Sequence, residues 1–295
     1  MKRALYVQLL LAVTSVVTMA GCGSRPGAAD DTAGSRPTVT VSIQPQAWLL
    51  RAIAGDSVNI NTLMSAGTNP ETFEPGVSTI RDASSSDLLM LSGNLGFETT
   101  LAGRIAANNP DLRVVDTSAG IEPIYGTHSH GNHTHTVADP HTWTSVRNAR
   151  VIASNMLDAL VDIDPDRADY YRSRAARLDA HLDSLDTAVA ARLDSLTSRS
   201  FMVWHPSLSY YARDYGLEQI SLGTEGRETT IRGAQAVIDR ASQRGATVLF
   251  VQADFDSDRA RSLVTETGAK LVTINPLDPD WEAQINIIAD ALDPR

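Results

Sequence analysis

Residues 165–197 read PDRADYYRSRAARLDAHLDSLDTAVAARLDSLT, and this stretch decides how the rest of the chain is organised. Its apolar residues fall mostly three or four positions apart, the spacing of one stripe along an α-helix. Asp164 and Pro165 form a suitable N-cap and first-turn pair. We therefore predict a single linking helix over residues 164–198, roughly 45–50 Å long. The residues of the stripe are Tyr171, Leu178, Leu182, Leu185, Val189, Leu193 and Leu196.

Short apolar runs alternate with longer amphipathic runs on both sides of this helix, a pattern typical of an α/β protein with mainly parallel sheets. We expect two lobes, each with a four-stranded sheet flanked by helices, at 38–163 and 199–295. The predicted strands are 39–43, 58–64, 88–92 and 112–116 before the helix, and 201–204, 219–222, 247–251 and 270–274 after it. The predicted helices are 47–54, 97–108, 146–161, 231–244, 258–267 and 281–292.

The first 21 residues have the composition of a targeting segment. Lys2 and Arg3 precede an almost wholly apolar stretch at 4–20, and small residues follow. A charged start, an apolar stretch and small residues predict a secretory signal peptide over residues 1–21. The folded body would then face the periplasm or the exterior of the cell.

Cys22 is the only cysteine of the chain, so a disulfide within the chain is impossible. Ala20 and Gly21 precede it directly, which resembles a bacterial lipobox. We predict that Cys22 carries a lipid that holds the protein on a membrane. Residues 22–37 are small, polar and rich in Gly and Pro, and they predict a flexible tether between the lipid and the body.

The charge balance is acidic, with 25 Lys and Arg residues against 35 Asp and Glu residues and a formal charge of −10. A nucleic-acid partner would require a basic face, so this class is disfavoured. The composition, 42% hydrophobic and 20% charged over 295 residues, is that of a globular protein. We expect a monomer.

Five of the seven histidines lie close together in the run HSHGNHTHTVADPHTW, as His128, His130, His133, His135 and His141. Neutral imidazole is a preferred protein ligand of zinc. The stretch 127–138 around the first four is polar and has no apolar periodicity, which predicts a mobile loop. Such a loop either gathers metal or is solvated without a function.

Four short polar segments lie at the ends of predicted strands or in the loops that follow them. They are GTNPETFEP at 67–75, DPHTW at 139–143, WHPS at 204–207 and INPLD at 274–278. In open α/β sheets, ligand sites lie beyond the carboxyl ends of the strands. The four segments are therefore expected to meet in a cleft between the lobes.

Two of these segments resemble motifs of the solute-binding lipoproteins of zinc and manganese ABC transporters. DPHTW matches D-P-H-x-W, and HPSLSYYARDYG at 205–216 matches H-P-x-x-x-Y-x-x-x-Y-G. The resemblance covers essentially the whole mature chain. It implies His141 and His205 as ligands of Zn²⁺, or alternatively Mn²⁺, and a fold of two α/β lobes joined by one long helix. It also implies a carrier, not an enzyme, whose partner is the permease of a metal importer.

Two positions depart from that family's pattern. Glu71 stands in PETFEP where the family motif P-H-x-[FY]-x-P has a histidine, and a carboxylate can also bind Zn²⁺ or Mn²⁺. Asn275 stands where the family often has an aspartate, so the implied fourth ligand is Asn275, Asp278 or a water. Some zinc-binding members carry a His-rich loop at the place of 127–138, which implies an accessory role in gathering metal.

Residues near these motifs have simpler interpretations. We expect Trp143 and Tyr210 in the core or the cleft wall, and His181 on the surface because it lies off the apolar stripe. Glu225, Arg227 and Glu228 belong to a polar loop and are expected to be solvated.

Two alternative functions remain open from the sequence. HSHGNH at 128–133 resembles the H-x-H-x-D-H motif of metallo-β-lactamase-fold hydrolases, in which zinc activates water. Asn132 replaces the acid of that motif, and the strand and helix order does not suit that fold. A surface adhesin that binds metal for structural reasons is the second alternative.

Overall fold

The computed structural model describes residues 36–65, 68, 70, 73–130, 133–222, 231–252, 265 and 267–293. They belong to one compact unit, 36–295. The predicted signal peptide and Cys22 lie outside the described residues. In the part that is described, no helix is long and apolar enough to span a membrane.

The first sheet has four parallel strands in the order β2-β1-β3-β4. All four predicted strands are confirmed, each slightly shorter than expected. Its inner strands are strongly apolar, and Val39, Val41, Leu88 and Leu89 are fully buried. The strands are β1 (Thr38–Val41), β2 (Asn59–Thr62), β3 (Leu88–Leu91) and β4 (Arg113–Asp116), and the helices among them are α1 (Gln44–Ala54), α2 (Val77–Ser84) and α3 (Gly96–Asn108).

A buried carboxylate fastens the carboxyl end of this sheet. Glu98, in the first turn of α3, is 3% exposed and accepts hydrogen bonds from the Ser42 hydroxyl at 2.5 Å and from the backbone N–H groups of Ser92 at 2.7 Å and Gly93 at 2.9 Å. Burial raises the pKa of Glu98 although these hydrogen bonds oppose the shift. Glu98 thereby ties the loops after β1 and β3 to the start of α3.

The His-rich segment is an antiparallel hairpin of β5 (Tyr125–His130) and β6 (His133–Ala138), so the prediction of a loop without regular structure at 127–138 is wrong. His128 pairs with His135, and His130 pairs with His133. Because residues alternate between the two faces of a strand, the register assigns all four positions to one face of the hairpin.

The predicted linking helix is confirmed as α5 (Ala168–Asp194), which at 27 residues is about 40 Å long. It begins later than expected, after a 3₁₀ turn at Pro165–Arg167. The Asp164 carboxylate does not cap the helix and instead accepts hydrogen bonds from Arg167 and Tyr171. All residues of the predicted stripe are buried except Leu196, which lies beyond the helix end and is partly buried.

Helix α4 (Val146–Ile163) precedes α5 and packs along it. Both helices contribute to a hydrophobic core that also includes residues of β1, β7 and the last helix. His181 lies on the outside of α5, where it contacts Glu282 at 2.8 Å, as expected for a surface histidine.

The second sheet is also fully parallel, in the order β10-β9-β7-β8. Its four strands confirm the prediction, whereas most of the predicted helix 258–267 lies outside the described residues. Read from β8, the order is the same as in the first sheet, with β7 in the place of β1. The elements are β7 (Ser200–Val203), α6 (Ser209–Asp214), β8 (Glu218–Ser221), α7 (Ile231–Arg244), β9 (Val248–Gln252), β10 (Lys270–Ile274) and α8 (Trp281–Leu292).

Candidate metal centre

His205 lies just beyond the carboxyl end of β7, the strand between β8 and β9. The chain runs from β7 to its neighbour β8 and from β9 to its neighbour β10, in opposite directions along the sheet. Such a switch point between β7 and β9 is where open α/β sheets place their ligands. The pKa of His205 is lowered to about 3, chiefly by burial and in addition by the nearby His141, while Asp139 opposes the shift. His205 is therefore a neutral imidazole at neutral pH, the form that binds metal.

His141 begins the 3₁₀ turn Thr142–Thr144 and is 2% exposed. Asp139 Oδ1 accepts its backbone N–H at 2.9 Å and lies 2.9 Å from its ring Nδ1. Burial alone would raise the pKa of Asp139, but the hydrogen bonds and the charge attraction from His141 outweigh it and lower that pKa. Asp139 thus fixes the ring and leaves Nε2 directed to His205.

The two histidines meet at their Nε2 atoms, which are 3.2 Å apart. Their ring centroids are 5.0 Å apart, with the planes inclined at 70°. Two nitrogens bound to one tetrahedral zinc at a Zn–N distance of about 2.05 Å would lie about 3.3 Å apart. The pair therefore already has the separation that a shared zinc ion requires.

The other predicted ligands do not join this pair in the same way. Asn275 donates from Nδ2 to Asp278 at 3.2 Å and accepts the Leu277 N–H at 3.2 Å, and Asp278 also accepts the Asp280 N–H at 2.9 Å. Both side chains are thus engaged within their own turn. Glu71 lies outside the described residues, as do Glu225, Arg227 and Glu228. Among the residues that are described, no three His, Cys, Asp or Glu side chains come together as a metal site.

Two indole rings join the His141 segment to the loop after β10. Trp143 Nε1 donates to the Pro276 carbonyl at 2.9 Å, and Trp281 Nε1 donates to the Trp143 carbonyl at 2.7 Å. Trp143 is 1% exposed and Trp281 is 2% exposed, so both bonds are protected from water. The sequence predicted Trp143 in the core or the cleft wall. Its hydrogen bond to Pro276, 133 residues away in the sequence, could not be predicted from any motif.

Helix α6 holds the same segment from the other side. Arg213 donates to the Glu122 carbonyl at 3.0 Å and to Asn148 Oδ1 at 3.1 Å. Asp214 accepts a hydrogen bond from Ser145, the N-cap of α4. The segment that carries His141 is therefore fastened by both the α6 region and the loop after β10.

A family model described as "zinc-uptake complex component A periplasmic", ZnuA, matches residues 39–290. The chain belongs to the ZnuA family. This confirms the expected resemblance and does not support a hydrolase. The two parallel sheets likewise do not support the metallo-β-lactamase alternative.

The curated proteins to which the chain is similar include the zinc-binding lipoprotein AdcA of Streptococcus pneumoniae, 24% identical over 92% of this chain and 55% of AdcA. The chain thus spans about half the length of several of the curated relatives that it matches. A putative metal-binding protein of Treponema pallidum is 25% identical over 83% of this chain and 80% of its own length.

Solved structures agree with this fold. A crystal structure of ZnuA has a TM-score of 0.78 at 31% identity, covering 86% of this chain and 96% of that one. The laminin-binding protein Lmb of Streptococcus agalactiae, described as an adhesin with metal-transporting activity, has a TM-score of 0.76 at 22% identity, covering 87% of this chain and 99% of its own. At that identity the second likeness shows the fold alone, and it does not support the adhesin alternative.

Proposed function

We propose that this chain is the extracytoplasmic metal-binding component of an ABC importer, which captures Zn²⁺, or alternatively Mn²⁺, and delivers it to a membrane permease. The observation that carries this proposal is the approach of His141 Nε2 to His205 Nε2 at 3.2 Å beyond the carboxyl end of β7. Membership of the ZnuA family supports it, as does the name of the zinc-binding lipoprotein AdcA.

The proposed ligand set is His141, His205 and Glu71, with Asn275 or Asp278 as the fourth ligand. Two imidazoles and one carboxylate suit zinc in a tetrahedral site. Manganese prefers oxygen ligands, and an oxygen from Asn275 or Asp278 would shift the preference in that direction. For Asn275 or Asp278 to bind, their mutual hydrogen bond has to open.

Metal release follows from the proposed domain organisation, in which lobes at 38–163 and 199–295 are joined by a linking helix at 164–198. A carrier needs different affinities in its open and closed forms, because the permease has to reverse binding. The hydrogen bonds of Trp143 and Trp281 join the His141 segment to the loop after β10. We infer that these bonds restrict the motion to small adjustments and that loops perform much of the gating.

The hairpin 125–138 is proposed to gather metal for this centre. Its register assigns His128, His130, His133 and His135 to one face, in two directly opposed pairs. Histidines at such positions would give weak, exchanging zinc sites whose affinity falls as the histidines become protonated. The hairpin would raise the rate of capture, not the affinity of the tight site.

The remaining features concern attachment to the cell envelope. We propose cleavage after residue 21, a lipid on Cys22, and a tether at 22–37 that lets the body reach the permease as a monomer. A lipid-modified cysteine without a disulfide partner is consistent with the single cysteine of the chain. The lipoprotein name of AdcA supports this arrangement.

Two measurements test the proposal: which metal the protein binds, and which residues its binding requires. Mass spectrometry of the mature protein after competition between Zn²⁺ and Mn²⁺ should show one tightly bound ion per chain. His141→Ala and His205→Ala should each sharply weaken binding in calorimetry, whereas the surface variant His181→Ala should not. Unchanged affinity in both centre variants would contradict the site.

A further inference from the structure

One buried hydroxyl holds both ends of the histidine hairpin. Tyr210 on α6 is fully buried; its Oη accepts the N–H of Ile124 at 3.2 Å and donates to the carbonyl of Asp139 at 2.9 Å. Ile124 directly precedes β5, and Asp139 directly follows β6. The Asp139 N–H also donates to the Ile124 carbonyl at 2.7 Å, so the root of the hairpin closes around this hydroxyl.

The same hydroxyl is part of a closed ring of contacts and backbone that passes through Asp139, His141, His205 and back to Tyr210. Asp139 accepts the bond from Tyr210 at its carbonyl and orients His141 with its carboxylate. His141 meets His205 at 3.2 Å, and His205 leads along the chain to Tyr210 on the following short helix. A displacement of Asp139 away from α6 would therefore separate the two imidazoles.

We propose that Tyr210 is a positioning residue of the metal centre. Its hydroxyl fixes the root of the hairpin and the His141 segment against the helix that follows His205, so that His141 and His205 are in place before metal arrives. The inference rests on the proposed function, because it assumes that these two histidines bind the metal. Pre-organisation of this kind lowers the cost of ordering the ligands at the moment of binding.

The neighbouring Tyr211 provides a matched control within the same helix. It is also fully buried, yet its hydroxyl has no hydrogen-bond partner among the described residues. The Tyr210 ring has a second contact, with the Arg213 guanidinium 5.0 Å from its centroid, and a phenylalanine ring would retain it. Tyr210→Phe and Tyr211→Phe therefore make the same chemical change, but only the first removes hydrogen bonds to the hairpin root.

The test compares zinc affinity and backbone exchange in these two variants of the mature chain. Tyr210→Phe should weaken Zn²⁺ binding roughly tenfold, at the lower end of the range known for outer-shell partners of metal ligands, and Tyr211→Phe should leave it unchanged. In metal-free protein, hydrogen exchange measured by mass spectrometry should quicken for peptides covering 122–141 in Tyr210→Phe alone. That second measurement needs no metal and reports on the root directly.

The outcomes separate this inference from the proposed function. If His141→Ala and His205→Ala both keep full zinc affinity, the proposed metal centre fails, and the proposed function loses the observation that carries it. If His141→Ala loses binding while the two tyrosine variants bind zinc equally well, the proposed function stands and the role of Tyr210 is overturned. Equal exchange of residues 122–141 in both metal-free variants would also overturn it.

Discussion

Asp139 Oδ1 contacts His141 twice, at the backbone N–H and at ring Nδ1, each at 2.9 Å. One carboxylate oxygen therefore fixes both the backbone and the ring of His141. With Nδ1 engaged, Nε2 is the ring nitrogen left for a metal, and it is the one that faces His205. A carboxylate behind a metal-binding histidine also raises its basicity and fixes its orientation.

Asp139→Asn should weaken zinc binding about 10–100-fold, because the amide removes the charge behind His141 but leaves the fold in place. Competition with a zinc chelator measures the change. Asp158→Asn on the exposed side of α4 is the control and should bind as the unmodified chain does. Equal affinity in both variants would show that Asp139 does not support the ligand.

Trp281→Phe should lower the free energy of unfolding by about 1–3 kcal/mol, because the buried carbonyl of Trp143 loses its donor. Chemical denaturation followed by circular dichroism measures it. Trp48→Phe is the matched control for the loss of ring packing, because Trp48 packs on Trp281 with ring centroids 5.3 Å apart. Trp48 itself is only partly buried. If the two variants lose the same stability, ring packing is responsible and not the hydrogen bond to Trp143.

The stability of the metal-free protein should fall as the pH drops below about 6.5, partly because of His205. In the folded state the pKa of His205 is about 3, well below its usual 6.5. Between these two values the unfolded chain binds a proton at His205 and the folded chain does not, which favours unfolding. This destabilising contribution of His205 grows as the pH falls from 6.5 towards 3, and it is absent above pH 6.5. Urea unfolding at pH 7 and pH 5 should show a smaller difference for His205→Gln; an identical difference would refute the assignment.

Replacing the four histidines of the hairpin by asparagine should slow zinc capture from a chelator and leave one tight site. Stopped-flow transfer measures the rate, and calorimetry counts the sites. The register supplies a control on the opposite face, where alanine should have no effect on capture; its positions are Thr127, Ser129, Thr134 and Thr136. Loss of the tight site in the asparagine variant would contradict the accessory role.

Glu98→Ala should destabilise the fold by about 3 kcal/mol or more, because the Ser42 hydroxyl and the buried N–H groups of Ser92 and Gly93 all lose their acceptor. Thermal unfolding monitored by calorimetry measures it. The exposed side chain of Glu122 offers a comparison, and Glu122→Ala should change stability little. A small effect in Glu98→Ala would mean that water replaces the carboxylate.

Hydrophobic periodicity was sufficient to predict the eight parallel strands and the stripe of α5, because the inner strands β1, β3, β7 and β9 and the stripe are largely buried. It had nothing to detect in 125–138, because the sequence of that stretch has no alternation of apolar and polar residues. The alternation of His128 with His130 and of His133 with His135, with two residues between the strands, was a hairpin signal that a search for apolar patterns overlooks.

Sequence motifs located His141 and His205, but the residues that hold them could not be found in this way. Tyr210 and Asp139 are 71 residues apart, and Trp281 and Trp143 are 138 apart. Such partners depend on how the segments pack in three dimensions, and the spacing of one sequence contains no record of it. Asp139 belongs to the same DPHTW motif as His141, yet its double contact with His141 is visible only in the structure.

The shared strand order of the two sheets gives the molecule two equivalent loops, one after β1 and one after β7. The chain uses them for different tasks. Ser42, after β1, donates to the buried Glu98 and serves stability, whereas His205, after β7, presents an imidazole to His141. Mutations in the two loops should therefore have separable effects. Those after β1 should change the stability of the fold, and those after β7 should change metal binding.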